Sequence, residues 1–389
     1  MKLAALTSLK PPLEMSLMEV LDVIGSILEK GYVGECIEVD SKLNIVRGLE
    51  LYWALEKLGV KYAPVGYGVC RASLEDLGFY DNVIGPQHRV YYSSLELAVK
   101  GLPTPMVKLR SFSAGDLRVW AKLEWFNPFS LSIKDRPAVH IVSSIARKAD
   151  IEGKILADAS SANFGIALAA TALHYGAKAR VYLPKRAGEH GRLVAELMGA
   201  ETVKTEAELT VELLSRIYSD TKREGLIHVN QFMNDLNFEA HLRTTSKEID
   251  YQARAAGLKL VGAAGPIGTS GHMSAINFYF RKRLKGPFKT IMAQPAPGEH
   301  IPGTRRSETG MIWLAMIAED FKIVDVTLGE AVEAVRRVAK DDGILIGPSG
   351  GAALVALSKS IDFIGEGGDV VVIVPDTGFK YLDLIGKKS

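Results

Sequence analysis

From residue 118 onward the chain alternates short apolar runs with longer amphipathic ones, and this rhythm leaves few folds open. The runs at 118–123, 154–157, 178–183, 226–229, 258–262, 289–294 and 369–374 have the length and apolar character of strands. The segments at 165–175, 188–197, 206–222, 239–255, 271–285 and 328–341 read as helices lying between them. Such alternation builds parallel sheets covered by helices on both faces, so the fold class is α/β. This many strands call for two sheets. In such folds ligands bind outside the carboxyl ends of the strands, and the strand-to-helix turns are where chemistry is expected.

The first hundred residues read differently. Helical patterns at 13–30 and 43–58 flank little else than short apolar strands at 60–63 and 90–92. Pro86 and then Leu102-Pro103-Thr104-Pro105 punctuate the join. Residues 1–99 are therefore expected to form an α+β extension ahead of the α/β core. No internal repeat or low-complexity segment interrupts the chain.

Lys134 is the most telling single residue. The strand at 118–123 runs into a turn marked by Asn127-Pro128, and the turn opens into a helix whose first residues include this lysine. The positive end of a helix dipole disfavours a cation. The placement makes sense for an amine that must lose its proton and act as a nucleophile. Taken alone, such a lysine is more often an ordinary solvated one.

Three further stretches carry chemistry. Gly268, Thr269, Ser270 and Gly271 precede an apolar-periodic helix, with His272 in the same turn. Glycines let a ligand approach the backbone, unpaired N–H groups at a helix start favour an anion, and the hydroxyls add donors. Asn163 and Ser349 each stand at a helix start, where capping is the plain alternative to ligand contact. The nucleotide pattern Gly-x-x-x-x-Gly-Lys-Ser/Thr is absent.

Four segments in order resemble those of fold-type II pyridoxal phosphate (PLP) enzymes, the cysteine synthase and cystathionine β-synthase group. They are Asn127-Pro128-Phe129-Ser130-Leu131-Ser132-Ile133-Lys134-Asp135-Arg136, Asp158-Ala159-Ser160-Ser161-Ala162-Asn163-Phe164-Gly165-Ile166-Ala167, Gly265-Pro266-Ile267-Gly268-Thr269-Ser270-Gly271-His272 and Gly347-Pro348-Ser349-Gly350-Gly351-Ala352. The resemblance covers about residues 102–382. It implies a tryptophan synthase β-like fold, with two parallel-sheet domains around a cleft. Residues 100–134 and 235–389 would form the large cofactor-binding domain, and 135–234 a small mobile substrate domain.

The resemblance also implies roles. Lys134 carries PLP and moves the substrate proton. Asn163, Ser349 and the cup of Gly268, Thr269, Ser270, Gly271 and His272 hold the cofactor. Ser160, Ser161 and Gln231 hold the substrate carboxylate. Phe164 and Ala162 depart from the threonine and glycine common in the family and leave that loop with fewer donors. A neutral serine at the pyridine nitrogen suits β-elimination and replacement over transamination. Gly378 and Tyr381 match a terminal family motif and are given a structural role. The implied reaction makes cysteine from an activated serine and sulfide. Cystathionine β-synthase or serine/threonine dehydratase activity is the alternative on the same scaffold. A non-catalytic PLP-binding regulator is disfavoured by the joint presence of Lys134, Asn163 and Ser349. A homodimer is the family default, and no metal is expected.

Arg305 and Arg306 point to the leaving group. They follow Pro302-Gly303 just after the strand at 289–294, where acetylserine-using relatives are small and uncharged. A guanidinium suits a dianionic phosphate. Adjacent side chains rarely point the same way, so one arginine is expected to bind substrate and the other to make a structural ion pair, with Arg305 favoured for substrate. This stretch and the N-terminal extension resemble the archaeal O-phosphoserine sulfhydrylases. O-phosphoserine is therefore the expected substrate, with O-acetylserine a possible second.

Composition narrows the setting. Hydrophobic residues at 47% and a net charge of +2 give no basis for nucleic-acid or membrane binding. No apolar run is long enough to span a bilayer, and the first residues lack a signal-peptide pattern. Cys36 and Cys70 cannot form a zinc quartet and lack redox-motif spacing, so they are expected to be buried or incidental thiols in a cytoplasmic protein.

Overall fold

The alternation folds into two parallel-stranded sheets. The computed structural model describes residues 2–317, 320–365 and 367–386. In the larger sheet Phe321–Val326, Lys289–Pro295, Leu260–Pro266, Gly368–Val374 and Leu117–Leu123 lie side by side and parallel. Met106–Ala114 joins antiparallel at the edge beyond Leu117–Leu123. In the smaller sheet the order is Glu201–Lys204, Lys178–Leu183, Ile155–Ala159, Ile227–His228. Gly368–Val374 is buried on both faces from Asp369 onward, which is why it reads as an unbroken apolar run.

Helices Asp135–Lys148, Asn163–Leu173, Gly271–Arg283 and Pro348–Ser358 all begin at one cleft. Their first turns bring the four sequence segments together at the carboxyl ends of the strands.

The extension shares a core with the rest of the chain. Helix Leu17–Lys30 begins with a capping box in which Ser16 and Glu19 bond reciprocally. Its buried Val20, Ile24, Ile27 and Leu28 belong to the same cluster as Ile276, Tyr279 and Phe280 of helix Gly271–Arg283. The extension therefore buttresses the helix whose N-terminus forms the glycine-rich cup.

Several local expectations fail for physical reasons. Residues 43–58 are not one helix: Ile45–Arg47 pairs with Glu38–Val39, and the helix is confined to Leu49–Lys57. The run at 90–92 is no strand; Val90 and Tyr92 are exposed and have no strand to pair with. The helix expected at 206–222 begins late, as a 3₁₀ turn at Thr210–Leu213 followed by Leu214–Glu224. The helix expected at 239–255 is broken by a π-helical stretch, His241–Ser246, between Leu236–Ala240 and Lys247–Ala255. There Asn82 of the extension donates Nδ2 to the Arg243 carbonyl at 2.8 Å, a long-range contact that residue spacing cannot disclose.

The cysteines are also corrected. Strands Tyr32–Glu35 and Val69–Ser73 pair antiparallel and bring Cys36 and Cys70 to a Cα separation of 5.1 Å, where they form a disulfide. They are not free thiols, and the cytoplasmic expectation loses the support it drew from them.

Candidate active site

Lys134 is the N-cap residue of helix Asp135–Lys148. The turn before it is tied from within. The Asp135 carboxylate accepts from the Phe129 N–H at 2.6 Å, the Ser130 N–H at 2.9 Å and the Ser130 hydroxyl. Ser132 Oγ accepts from the Lys134 N–H at 3.1 Å, and the Ile133 N–H donates to the Pro375 carbonyl at 2.9 Å. Leu131 takes a left-handed conformation, φ 49°, that a branched side chain resists. Lys134 lines a cleft of about 640 Å³. Burial, aided by the nearby Lys380 ammonium and opposed by Asp376, lowers its amine to about 8. Burial likewise pushes the Asp135 carboxyl up to about 6, against the hydrogen bonds it accepts.

The cup faces the same cleft. A Cβ at Gly268 would meet the Gly303 carbonyl at 2.7 Å, which bars a side chain there, and one at Gly271 would meet Asn237 Oδ1 at 2.5 Å, which would have to move. Ser270 is left-handed, φ 72°. Its buried hydroxyl and the buried His272 Nε2 have no partner among the described residues. Thr269 Oγ1 accepts from Asn237 Nδ2 at 3.2 Å. Burial and the Lys134 charge lower His272 to about 3, so its ring is neutral. The His241 ring stands edge-on behind it at 5.7 Å.

Ser160 Oγ accepts from the Gly165 N–H at 2.9 Å and the Ala162 N–H at 3.2 Å, leaving its own O–H to donate. Ser161 lines the cleft beside it. Gln231 is buried; its Nε2 donates to the Ala159 carbonyl at 2.7 Å and its backbone N–H to Asp158 at 2.8 Å. Asn163 does not cap its helix: Nδ2 donates to Asp376 Oδ2 at 2.8 Å, and Oδ1 accepts from Lys380 Nζ at 2.8 Å. Ser349 sits one residue inside helix Pro348–Ser358, whose N-cap is Gly347, and lines the cleft.

The two arginines diverge. Arg305 is 8% exposed and lines the cleft. Its Nε donates to the Gly268 carbonyl at 2.8 Å, its guanidinium lies 5.0 Å from the Phe232 ring centre, and its buried Nη1 has no partner among the described residues. No carboxylate pairs with it among the described residues, and burial lowers it to about 10. Arg306 does not reach the cleft. It is held by the Pro295 carbonyl at 2.7 Å, Asp325 at 3.0 Å and Glu308 at 2.7 Å.

Comparison with known proteins places this geometry. Residues 98–376 match the model of the family described as pyridoxal-phosphate dependent enzyme. A cysteine synthase of Aquifex aeolicus is 31% identical over 320 residues, covering 77% of this chain and 94% of that protein. The chain belongs to the fold-type II cysteine synthase family of PLP-dependent enzymes. Cysteine synthase B of Escherichia coli is 30% identical over 287 residues, covering 72% of this chain and 91% of that protein. The solved cysteine synthase (OASS) of Entamoeba histolytica is 26% identical, with a TM-score of 0.66 over 78% of this chain and 94% of that one.

The family's cofactor fits the residues present. The unpartnered Ser270 hydroxyl and His272 nitrogen lie at a helix N-terminus where Gly268 bars a side chain, a cradle suited to a phosphate. The lowered Lys134 amine suits attack on an aldehyde carbon. Four residues escaped the sequence reading. Lys380 and Asp376 bracket Asn163, Asn237 shapes the cup, and His241 backs His272. For Lys380 the only available signal was its place beside Tyr381 in the terminal motif.

Proposed function

We propose that this chain makes L-cysteine from O-phospho-L-serine and sulfide by PLP-dependent β-replacement. When bound, PLP supplies an electron sink conjugated to the substrate Cα. Lys134 carries the cofactor and then takes the proton from Cα. The hydroxyls of Ser160 and Ser161 and the amide of Gln231 hold the substrate carboxylate. Asn163 and Ser349 would face the cofactor ring, and Gly268 to His272 would take its phosphate. The leaving phosphate departs from Cβ toward Arg305, and sulfide adds in its place. Residues 135–234 close over the substrate and exclude water.

The observation that carries the choice of substrate is Arg305. A guanidinium buried without a carboxylate partner, with one nitrogen unsatisfied in the substrate cleft, is a receptor for an anion. An acetyl ester offers it no charge. Arg306, bound by Asp325 and Glu308, keeps a structural role.

The test is to change each arginine to alanine. Arg305→Ala should lose on the order of 2–4 kcal/mol of transition-state stabilisation with O-phosphoserine, about 30- to 1,000-fold in kcat/KM, and far less with O-acetylserine. Arg306→Ala should treat both substrates alike. Equal losses from Arg305→Ala on both substrates would reject phosphate recognition and favour acetylserine, the substrate of the OASS relatives. Loss of cofactor retention instead would move Arg305 to the cofactor phosphate.

A further inference from the structure

A second lysine enters the cleft, and the mechanism above does not use it. Lys380 lies in the turn Gly378–Tyr381, with its side chain 13% exposed. Its ammonium donates to the Ser130 carbonyl, to the Leu131 carbonyl at 3.2 Å and to Asn163 Oδ1 at 2.8 Å. It stands 4.0 Å from Asp376 Oδ2. Three segments distant in sequence thus converge on one nitrogen.

Each contact has a consequence. Leu131 is the left-handed residue three places before Lys134, a conformation that is strained in a non-glycine residue and persists only when its surroundings hold it. Lys380 binds the carbonyls of this residue and the one before it. An ammonium can only donate and a carboxylate can only accept. Lys380 on one side and Asp376 on the other therefore fix which way the Asn163 amide faces. Oδ1 is turned to Lys380 and the N–H side to Asp376, with the Tyr381 hydroxyl also hydrogen-bonded to the amide.

We propose that Lys380 is a positioning residue of this site: its ammonium holds the Leu131 turn that delivers Lys134 and sets the amide face that Asn163 presents. It also places a second amine beside that of Lys134, its proton affinity lowered by burial and held up by Asp376 and Asp135. The titratable and charged groups around the Lys134 amine are Asp376 and Lys380 from the C-terminal motif, His272 from the cup and His241 behind it. Both histidines are lowered by burial and are neutral near pH 7. Asp135 stands next to Lys134 in the chain, and its carboxyl is influenced by Lys380. Lys380 is thus the cation opposing Asp376 at the Lys134 amine.

The inference rests on Lys134 as the cofactor-bearing residue and is independent of the leaving group. The experiment uses full-length protein stripped of cofactor and reloaded with PLP across a pH series. Reloading is followed by the visible absorbance it restores, since only the unprotonated amine can react. Lys380→Met removes charge and donors, Lys380→Gln keeps a donor without the charge, and Lys380→Arg keeps both. The pH midpoint of reloading should rise by about one unit in Lys380→Met and Lys380→Gln, because removing a nearby cation makes the amine easier to protonate. Lys380→Arg should stay near the unmodified protein.

In steady state Lys380→Met should lose kcat by about tenfold or more with KM changed by less than about threefold. Asn163→Ala added to Lys380→Met should cost little more than either alone, because the two act through one contact. If Lys380→Met and Lys380→Gln reload with the original midpoint, and the losses of Lys380→Met and Asn163→Ala multiply, Lys380 is a structural strap and the proposal fails. The Lys380→Gln arm carries the pH test should Lys380→Met not fold. Borohydride reduction of unmodified protein that labels a lysine other than Lys134 would instead remove the reading on which the proposal stands.

Discussion

Neutralising Glu239 should cost far more than a surface charge would. This carboxylate is 2% exposed and joins three parts of the chain. It accepts from Lys57 of the extension at 3.3 Å, from His140 at 2.9 Å and from Arg243 of the π-helical stretch at 3.1 Å. Burial by itself would raise its proton affinity. His140, Arg243 and Lys57 overcome that and hold the carboxyl well below the usual range. Glu239→Gln keeps the volume and removes the charge, leaving Lys57, whose side chain is 7% exposed, without its anion. Removing one partner of a buried pair typically costs about 3–5 kcal/mol. The comparison is Glu38→Gln, which breaks a pair at 3.9 Å with Arg47, whose side chain is 78% exposed; it should cost less than about 1 kcal/mol.

The sign with pH follows from the depressed carboxyl. Its contribution is complete above the unfolded-state value near 4 and is lost as pH falls below it. Urea unfolding at pH 7 should therefore show the full gap between Glu239→Gln and the unmodified protein, and the gap should narrow toward pH 3. A gap under about 1 kcal/mol at pH 7, or one that does not change with pH, would refute the reasoning. It would also mean that the Lys57–Glu239 pair does not help to hold the extension.

Two further outcomes are expected. Borohydride reduction should fix a pyridoxyl group on Lys134, and Lys134→Ala should bind PLP through the cup yet release no product; peptide mass mapping decides this. Asn163→Ala should shift the visible absorbance of the bound cofactor, and Ser349→Asp should raise side reactions relative to replacement by holding the pyridine nitrogen protonated. Unchanged spectra and turnover in both would remove them from the ring.

The large features were legible because they are local. Strand-to-helix turns announce themselves by spacing, and the segments singled out at Lys134, at 268–272 and at Ser349 are brought to one cleft. The strand at 178–183 is found as Lys178–Leu183. What escaped are contacts between distant residues. Lys380 and Asn163 are 217 positions apart, and a place beside Tyr381 in the terminal motif does not say which side chains that lysine meets. The contact of Asn82 with Arg243 in the π-helical stretch, across 161 positions, is hidden for the same reason. Cys36 and Cys70 lack motif spacing because strand pairing, not sequence proximity, brings them together. The paired arginines show the limit from the other side. Residue type gave the chemistry, and only the path of the loop decides that Arg305 turns inward and Arg306 outward.

The most direct test of the account is to supply sulfide with O-phosphoserine, O-acetylserine and serine in parallel and measure cysteine and released phosphate. The account predicts cysteine with stoichiometric phosphate from O-phosphoserine, at a kcat/KM at least about tenfold above that with O-acetylserine, and little from serine. Equal or better use of O-acetylserine, or a pyruvate or 2-oxobutyrate product in place of cysteine, would contradict it.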